Sequence, residues 1–203
     1  MESQHKYKHC RRHTAWMILP ALLAILSFCP SLAQGQQFDY RVLATNRTST
    51  AEKEMNEAAD AGFVFAAAMG GETGFGGNEV VVIMIKDSAA PADQKRAYRL
   101  LATSRTSTMQ KEMQQLGDEG FDYMGQTAFS SAFGGKEVVV IMERMPGAAK
   151  KIQYRLLATS RTSTMQKELR EAGDAGFRLV GMTVAKTAMG GSELVSIMRQ
   201  EAR

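Results

Sequence analysis

Between residues 15 and 28 the chain is an almost unbroken apolar run, AWMILPALLAILSF, and after Ala33 the pattern breaks into short segments of contrasting period. The stretch beginning Tyr40-Arg41-Val42-Leu43-Ala44-Thr45 has no helical period and reads as a strand. Apolar residues then recur at i, i+4 and i+7, as Met109, Met113 and Leu116 in one stretch and Met165, Leu169 and Ala172 in another. That spacing predicts a helix with one buried face. Gly62, Gly120 and Gly176 fall where such a helix must end in a left-handed residue. A second strand is expected from the phenylalanine that follows each glycine, and a third at EVVVIM or ELVSIM.

The third strand is apolar on both pleat faces at Val80–Ile85 and Val138–Met142, which predicts cover on both sides. Ser196 interrupts the corresponding run in the last copy and predicts a less enclosed strand there. Placing the most apolar strand in the middle gives the spatial order first-third-second, all antiparallel, with the helix across one face. A capping box is expected at each helix start. Ser49, Ser107 and Ser163 stand three residues before Glu52, Gln110 and Gln166, so the hydroxyl could accept from an amide while the longer side chain reaches back.

These elements occur three times. YRLLATSRTST at Tyr98–Thr108 recurs at Tyr154–Thr164 and, as YRVLATNRTST, at Tyr40–Thr50. The leading tyrosine precedes the Gly-Phe phenylalanine (Phe63, Phe121, Phe177) by 23 residues in every copy, and the second and third copies share 28 of 48 positions. Self-similarity of this kind defines the fold class as α+β, built from three tandem β-α-β-β units. The units are residues 38–87, 98–145 and 154–201, with linkers 88–97 and 146–153. A unit of this size is marginal alone, so the three are expected to share cores in a single pseudo-threefold body.

The apolar run is preceded by Lys6, Lys8, Arg11 and Arg12 and followed by small residues at Ser31 and Ala33. A basic head, a short apolar middle and small residues form a secretory signal peptide over residues 1–33, with cleavage expected after Ala33. The run is shorter than the ~20 residues a membrane span needs, so no span is expected after cleavage. Both cysteines (Cys10, Cys29), all three histidines (His5, His9, His13) and Trp16 lie in this leader, and the rest of the chain is close to neutral. Thiol nucleophiles, Ser-His-Asp triads and the usual zinc sites are thereby excluded from the mature chain. No basic stripe points to nucleic acid, no Walker or dinucleotide fingerprint points to a nucleotide, and neither a cofactor nor a metal is expected.

The segment Leu116–Gly125, LGDEGFDYMG, resembles the L-G-x-E-G-W-E-L-V segment of a small bacterial family, domain of unknown function 4177. The resemblance covers each of the three copies, including a tyrosine-bearing first strand and a last strand ending near Arg144 or Arg199. Phe63, Phe121 and Phe177 replace the family's usual tryptophan, and the glycine-rich loops are longer. What the resemblance implies is a fold, with no activity and no catalytic residues.

Among candidate sites the Arg-Thr-Ser block stands out: Arg47, Thr48 and Ser49; Arg105, Thr106 and Ser107; Arg161, Thr162 and Ser163. A helix N-terminus with an adjacent guanidinium can hold a small anion, and the competing reading is helix capping. Asp60, Asp118 and Asp174 oppose the helix dipole in the last turn, which predicts an ion pair to one of the repeated arginines, Arg41/Arg99/Arg155 or Arg47/Arg105/Arg161. The loops Gly70–Gly77, Thr127–Gly135 and Thr183–Gly191 carry Phe75, Phe133 and Met189 at their tips, as flexible hairpins or as partner contacts. The twelve methionines after the leader read as core fillers.

The expected function is an exported, non-enzymatic binding or structural module of the bacterial envelope or secreted space, with a protein or small anionic ligand as partner. The first alternative is phosphate-like anion binding at the three helix starts. The second is a carboxylate hydrolase drawing on Glu54/Glu112/Glu168 and Glu79/Glu137/Glu193.

Overall fold

A computed structural model describes residues 37–72, 77–90, 95–130, 136–148, 150–186 and 191–202. The leader and the loop tips bearing Phe75, Phe133 and Met189 lie outside the described residues. The order of elements is β1 (Phe38–Thr45), α1 (Thr48–Asp60), β2 (Val64–Glu72), β3 (Asn78–Asp87), β4 (Ala97–Thr103), α2 (Thr106–Asp118), β5 (Asp122–Ser130), β6 (Lys136–Arg144), β7 (Ile152–Thr159), α3 (Thr162–Asp174), β8 (Arg178–Lys186) and β9 (Ser192–Glu201). Each unit forms one antiparallel sheet with its third strand in the centre: β1-β3-β2, β4-β6-β5 and β7-β9-β8. The expected fold class and strand order are both observed.

The helix stops follow from the glycines. Gly62, Gly120 and Gly176 have φ of 88°, 86° and 89°. In α1 the Phe63 N–H donates to Ala58 O at 3.0 Å and the Gly62 N–H to Ala59 O at 2.9 Å, which is a Schellman closure. The other two helices repeat it, with Phe121 donating to Leu116 and Phe177 to Ala172. Ala66, Met124 and Val180 form a bulge at the same place in β2, β5 and β8.

Every sheet has two faces, and different neighbours cover them. The front face of the first sheet (Val80, Val82, Met84) lies in one cluster with Met55, Ala58 and Ala59 of α1, together with Tyr98, Val139 and Ile141 from the back of the second sheet. The next cluster repeats the arrangement one unit later. Val138, Val140 and Met142 pack with Met109 and Met113 of α2 and with Tyr154 and Ile197 from the third unit. Residues 35–203 accordingly form one compact body with shared cores.

The three units share cores as expected but do not close around a pseudo-threefold axis: they follow one another in a row, with a first face and a last one. Tyr40, on the back of the first sheet, is 59 % exposed, whereas its equivalents Tyr98 and Tyr154 are 1 % and 4 % exposed. This corrects the expectation that β9 is the less enclosed central strand. Ser196 is fully buried and its hydroxyl donates to Met165 Sδ at 3.2 Å. The open strand is β3, where Ile83 is 36 % exposed and its equivalents Ile141 and Ile197 are fully buried. Enclosure depends on having a preceding unit, and a strand's own letters do not encode that.

The same asymmetry appears in one helical glycine. A Cβ on Gly117 of α2 would collide with the backbone carbonyl of Ile152 and press on the Tyr154 ring, whereas a Cβ on the equivalent Gly173 of α3 meets nothing within 4 Å. Gly117→Ala is therefore expected to cost about 1–3 kcal/mol through overpacking. Gly173→Ala is expected to gain up to about 0.5 kcal/mol from helix propensity. Urea unfolding of the two variants checks both, and equal effects would contradict the unit-to-unit contact.

Candidate functional site

The Arg-Thr-Ser blocks do head the three helices, but not as capping boxes. The N-cap residues are Arg47, Arg105 and Arg161, in extended conformation, and no side chain caps the helix. Ser49, Ser107 and Ser163 lie one residue inside the first helical position. The turn is instead set two residues before each arginine. Thr45, Thr103 and Thr159 accept the N–H of Arg47, Arg105 and Arg161 through their hydroxyl oxygens at 3.2 Å each. A hydroxyl at the strand end thus takes the N–H of the N-cap arginine, and the serine two residues on is already inside the helix.

Glu52 and Gln110 do not reach back to a cap either. They reach across to the next unit. Gln110 Nε2 donates to the carbonyl of Tyr154 at 2.8 Å, and its Oε1 accepts the N–H of Leu156 at 2.7 Å. Glu52 accepts the N–H of Leu100 at 2.9 Å and pairs with Arg99 at 3.0 Å. One turn later Asn56 clasps Tyr98, donating to its carbonyl at 3.0 Å and accepting its N–H at 2.9 Å. Gln114 accepts the N–H of Tyr154 at 2.9 Å and donates to Ile152 O at 3.3 Å. β4 and β7 are edge strands, whose outward N–H and C=O groups would otherwise need water or another strand. The preceding helix satisfies them with amide and carboxylate side chains.

The tyrosines complete the joint. Tyr98 donates its hydroxyl to Glu143 at 2.6 Å and accepts the N–H of Phe65 at 2.9 Å. Glu143 is held in turn by Arg96 at 2.7 Å. Tyr154 donates to Phe121 O at 3.1 Å and lies beside Asp122, which forms a two-pronged bond with Arg199 at 2.6 and 2.7 Å. Burial raises the hydroxyl pKa of Tyr98 and of Tyr154, with the neighbouring carboxylates adding to the rise. Burial alone pushes Tyr123 up to about 12. The bond to Asp122 raises Arg199 further. The phenols of Tyr98 and Tyr154 remain neutral donors.

The aromatic at the start of each second strand closes the contact by shape. The Phe65 ring lies over Gly125 of the next unit, 3.4 Å from where a Cβ would stand, and Tyr123 lies over Gly181 in the same way, closer still. None of these positions was expected as a site from the repeat alone.

The helix-end aspartates are not paired with the repeated arginines. Asp60 meets Lys95 at 3.6 Å and Asp118 accepts from Gln114 at 3.0 Å. The arginines are engaged elsewhere: Arg41 lies 4.4 Å over the Phe63 ring, Arg155 4.5 Å over Phe177, and Arg99 pairs with Glu52. A guanidinium beside an aromatic face at these distances is held by the ring quadrupole. The methionines follow expectation in the main, with Met55, Met84, Met109, Met113, Met142, Met165 and Met198 buried and Met69, Met124, Met145 and Met182 exposed.

The candidate carboxylates are dispersed over the helices and strand starts. Glu112 and Glu168 each bury one oxygen without a hydrogen-bond partner, on separate helices. Glu193 accepts the hydroxyl of Thr106, so a carboxylate of this chain already sits at the start of α2. No group of three or more Asp, Glu, His or Cys among the described residues could hold a metal ion, and no helix among them is long and apolar enough to cross a membrane.

Fold and contacts together define a tandem-repeat protein whose polar helix residues join one unit to the next. The chain matches no family model, no curated protein and no solved structure.

Ser107→Ala should change stability by less than about 0.5 kcal/mol. Gln110→Ala, which strips two bonds from the edge of β7, should cost about 2 kcal/mol. Denaturant titration separates the two, and a larger loss at Ser107 would restore the capping box.

Proposed function

We propose that this chain is an exported, non-enzymatic repeat protein that acts as a binding or structural module outside the cytoplasm. The observation that carries this reading is where the repeated polar side chains go. Glu52, Gln110, Asn56 and Gln114 are used on the backbone of the next unit, and Tyr98, Tyr154, Glu143 and Arg199 on one another or on neighbouring carboxyl and carbonyl groups. A side chain committed to an internal joint is not presented to a substrate. The described surface does present large apolar side chains: Phe38, Tyr40 and Val42 at one end, and Leu179, Met182 and Val184 at the other. Exposed apolar patches of this kind mark contact surfaces. The basic, apolar and small-residue succession of the first 33 residues supports export. The resemblance to domain of unknown function 4177 fits the same reading, since it implies a fold and no activity.

Small-anion binding at Arg47, Arg105 and Arg161 draws less support, because Glu193 already meets Thr106 at the start of α2. A carboxylate hydrolase draws less again, because Glu112 and Glu168 sit on separate helices of separate units.

Expression of the full chain in a bacterial host, followed by fractionation and intact-mass measurement, tests the proposal. The expected product lies outside the cytoplasm, begins near Gln34, and turns over nothing in a broad glycoside panel. Cytoplasmic protein with its leader intact would overturn export. Turnover lost in Glu112→Gln or Glu168→Gln would overturn the non-enzymatic reading.

A further inference from the structure

We infer that the two open faces of the repeat array are the two halves of one interface, so that the last unit of one copy docks on the first unit of a second copy, head to tail. This deepens the binding-module reading by naming the partner, and it rests on that reading.

The chain itself shows twice what covers these surfaces. The front of the first unit seats the back of the second, and the front of the second seats the back of the third. Among the described residues no unit precedes the back of the first sheet. There Phe38, Tyr40 and Val42 stand in register with Asp87, Ile85 and Ile83, on the face where Tyr98 and Ile141 are buried one unit later. Among the described residues no unit follows the front of the third sheet. There Leu179, Met182 and Val184, in register with Met198, Ser196 and Leu194, are exposed, whereas Tyr123 at the position of Leu179 is covered by Gly181.

The two faces match in detail where the internal joints are most specific. Internally an aromatic ring rests on a glycine: Phe65 on Gly125 and Tyr123 on Gly181. At the open ends the corresponding residues are Leu179 and Ala67, a smaller side chain opposite a residue that gains a Cβ. The two changes compensate in volume. Gln166 holds the position of Gln110, which clasps the carbonyl and N–H groups of Tyr154 and Leu156. Facing it in a second copy are the same groups of Tyr40 and Val42, on the outer edge of β1. The Tyr40 hydroxyl takes the place of Tyr98, whose oxygen accepts the N–H of Phe65, the residue equivalent to Leu179.

The joint between copies is weaker than those inside the chain. Arg170 replaces Asn56 and Gln114 and can donate to a carbonyl but cannot accept the Tyr40 N–H. The Asp122–Arg199 pair has no counterpart, because Arg178 and Ile85 occupy those places. Association is therefore concentration-dependent. An interface of two different faces closes into a ring or runs on as a filament.

Sedimentation velocity of purified full chain, and of a chain beginning at Gln34, over a wide concentration range is the test. Species larger than a monomer should grow with concentration. Tyr40→Asp removes one face and Leu179→Asp the other; both positions are exposed, so each variant should keep the parent's thermal melting and sediment as a monomer. Mixing the two variants should restore a dimer and nothing larger, since each keeps one intact face. Three results would overturn the inference: a parent that stays monomeric throughout in both forms, a mixture that stays monomeric, or dimers lost in Tyr40→Asp but kept in Leu179→Asp. The third result would mean a symmetric contact through β1. Export plays no part in the measurement, so its failure and that of the functional proposal are read separately.

Discussion

One small helix cannot cover both faces of a three-stranded sheet, and everything else in this protein follows from that deficit. Each unit buries its front face under its own helix and leaves its back face apolar. A unit with an uncovered face is marginal in water. The face is covered when the preceding unit lies against it, as with Val139 and Ile141 of the second sheet in the cluster around Met55. Stability is thus shared between neighbours, the arrangement expected of repeat proteins whose units cannot bury a core alone.

Covering a face is not sufficient, because the first strand of each unit is also a sheet edge. The preceding helix supplies acceptors and donors to the Tyr98 and Tyr154 backbone through Asn56 and Gln114, and to Leu100 and Leu156 through Glu52 and Gln110. These bonds fix the register between units, which apolar contact alone leaves loose. Buried tyrosine hydroxyls and the Asp122–Arg199 pair add direction to the same joint. Polar groups are thus placed between units, at Asn56, Gln110, Gln114 and the Asp122–Arg199 pair, where orientation has to be specified.

The sequence made legible whatever depends on local geometry. A positive φ at Gly62, Gly120 and Gly176 is a single-residue requirement, and the helix stops were readable from it. The central place of β3, β6 and β9 was readable because a strand apolar on both faces has nowhere else to go. The helices start ahead of the serines because the strand ends earlier, where Thr45, Thr103 and Thr159 accept the N–H of the N-cap arginines. The enclosure of Ser196 and the openness of Ile83 were misjudged because position in the succession is not written in a copy's own letters. The clasping side chains did leave a trace. The position after the repeated Glu or Gln by one turn is Asn56 and Gln114 in the copies with a successor and Arg170 in the copy without one.

The claim on which the rest depends is that side chains of one helix satisfy the edge strand of the next unit. Amide hydrogen exchange, read residue by residue at a dilution where the chain is monomeric, measures this directly. The N–H groups of Tyr98, Leu100, Tyr154 and Leu156 should exchange as slowly as those of the central strands, and those of Tyr40 and Val42, which no described helix precedes, should exchange fast. Equal protection in all three first strands, or fast exchange at Tyr154 and Leu156, would contradict it.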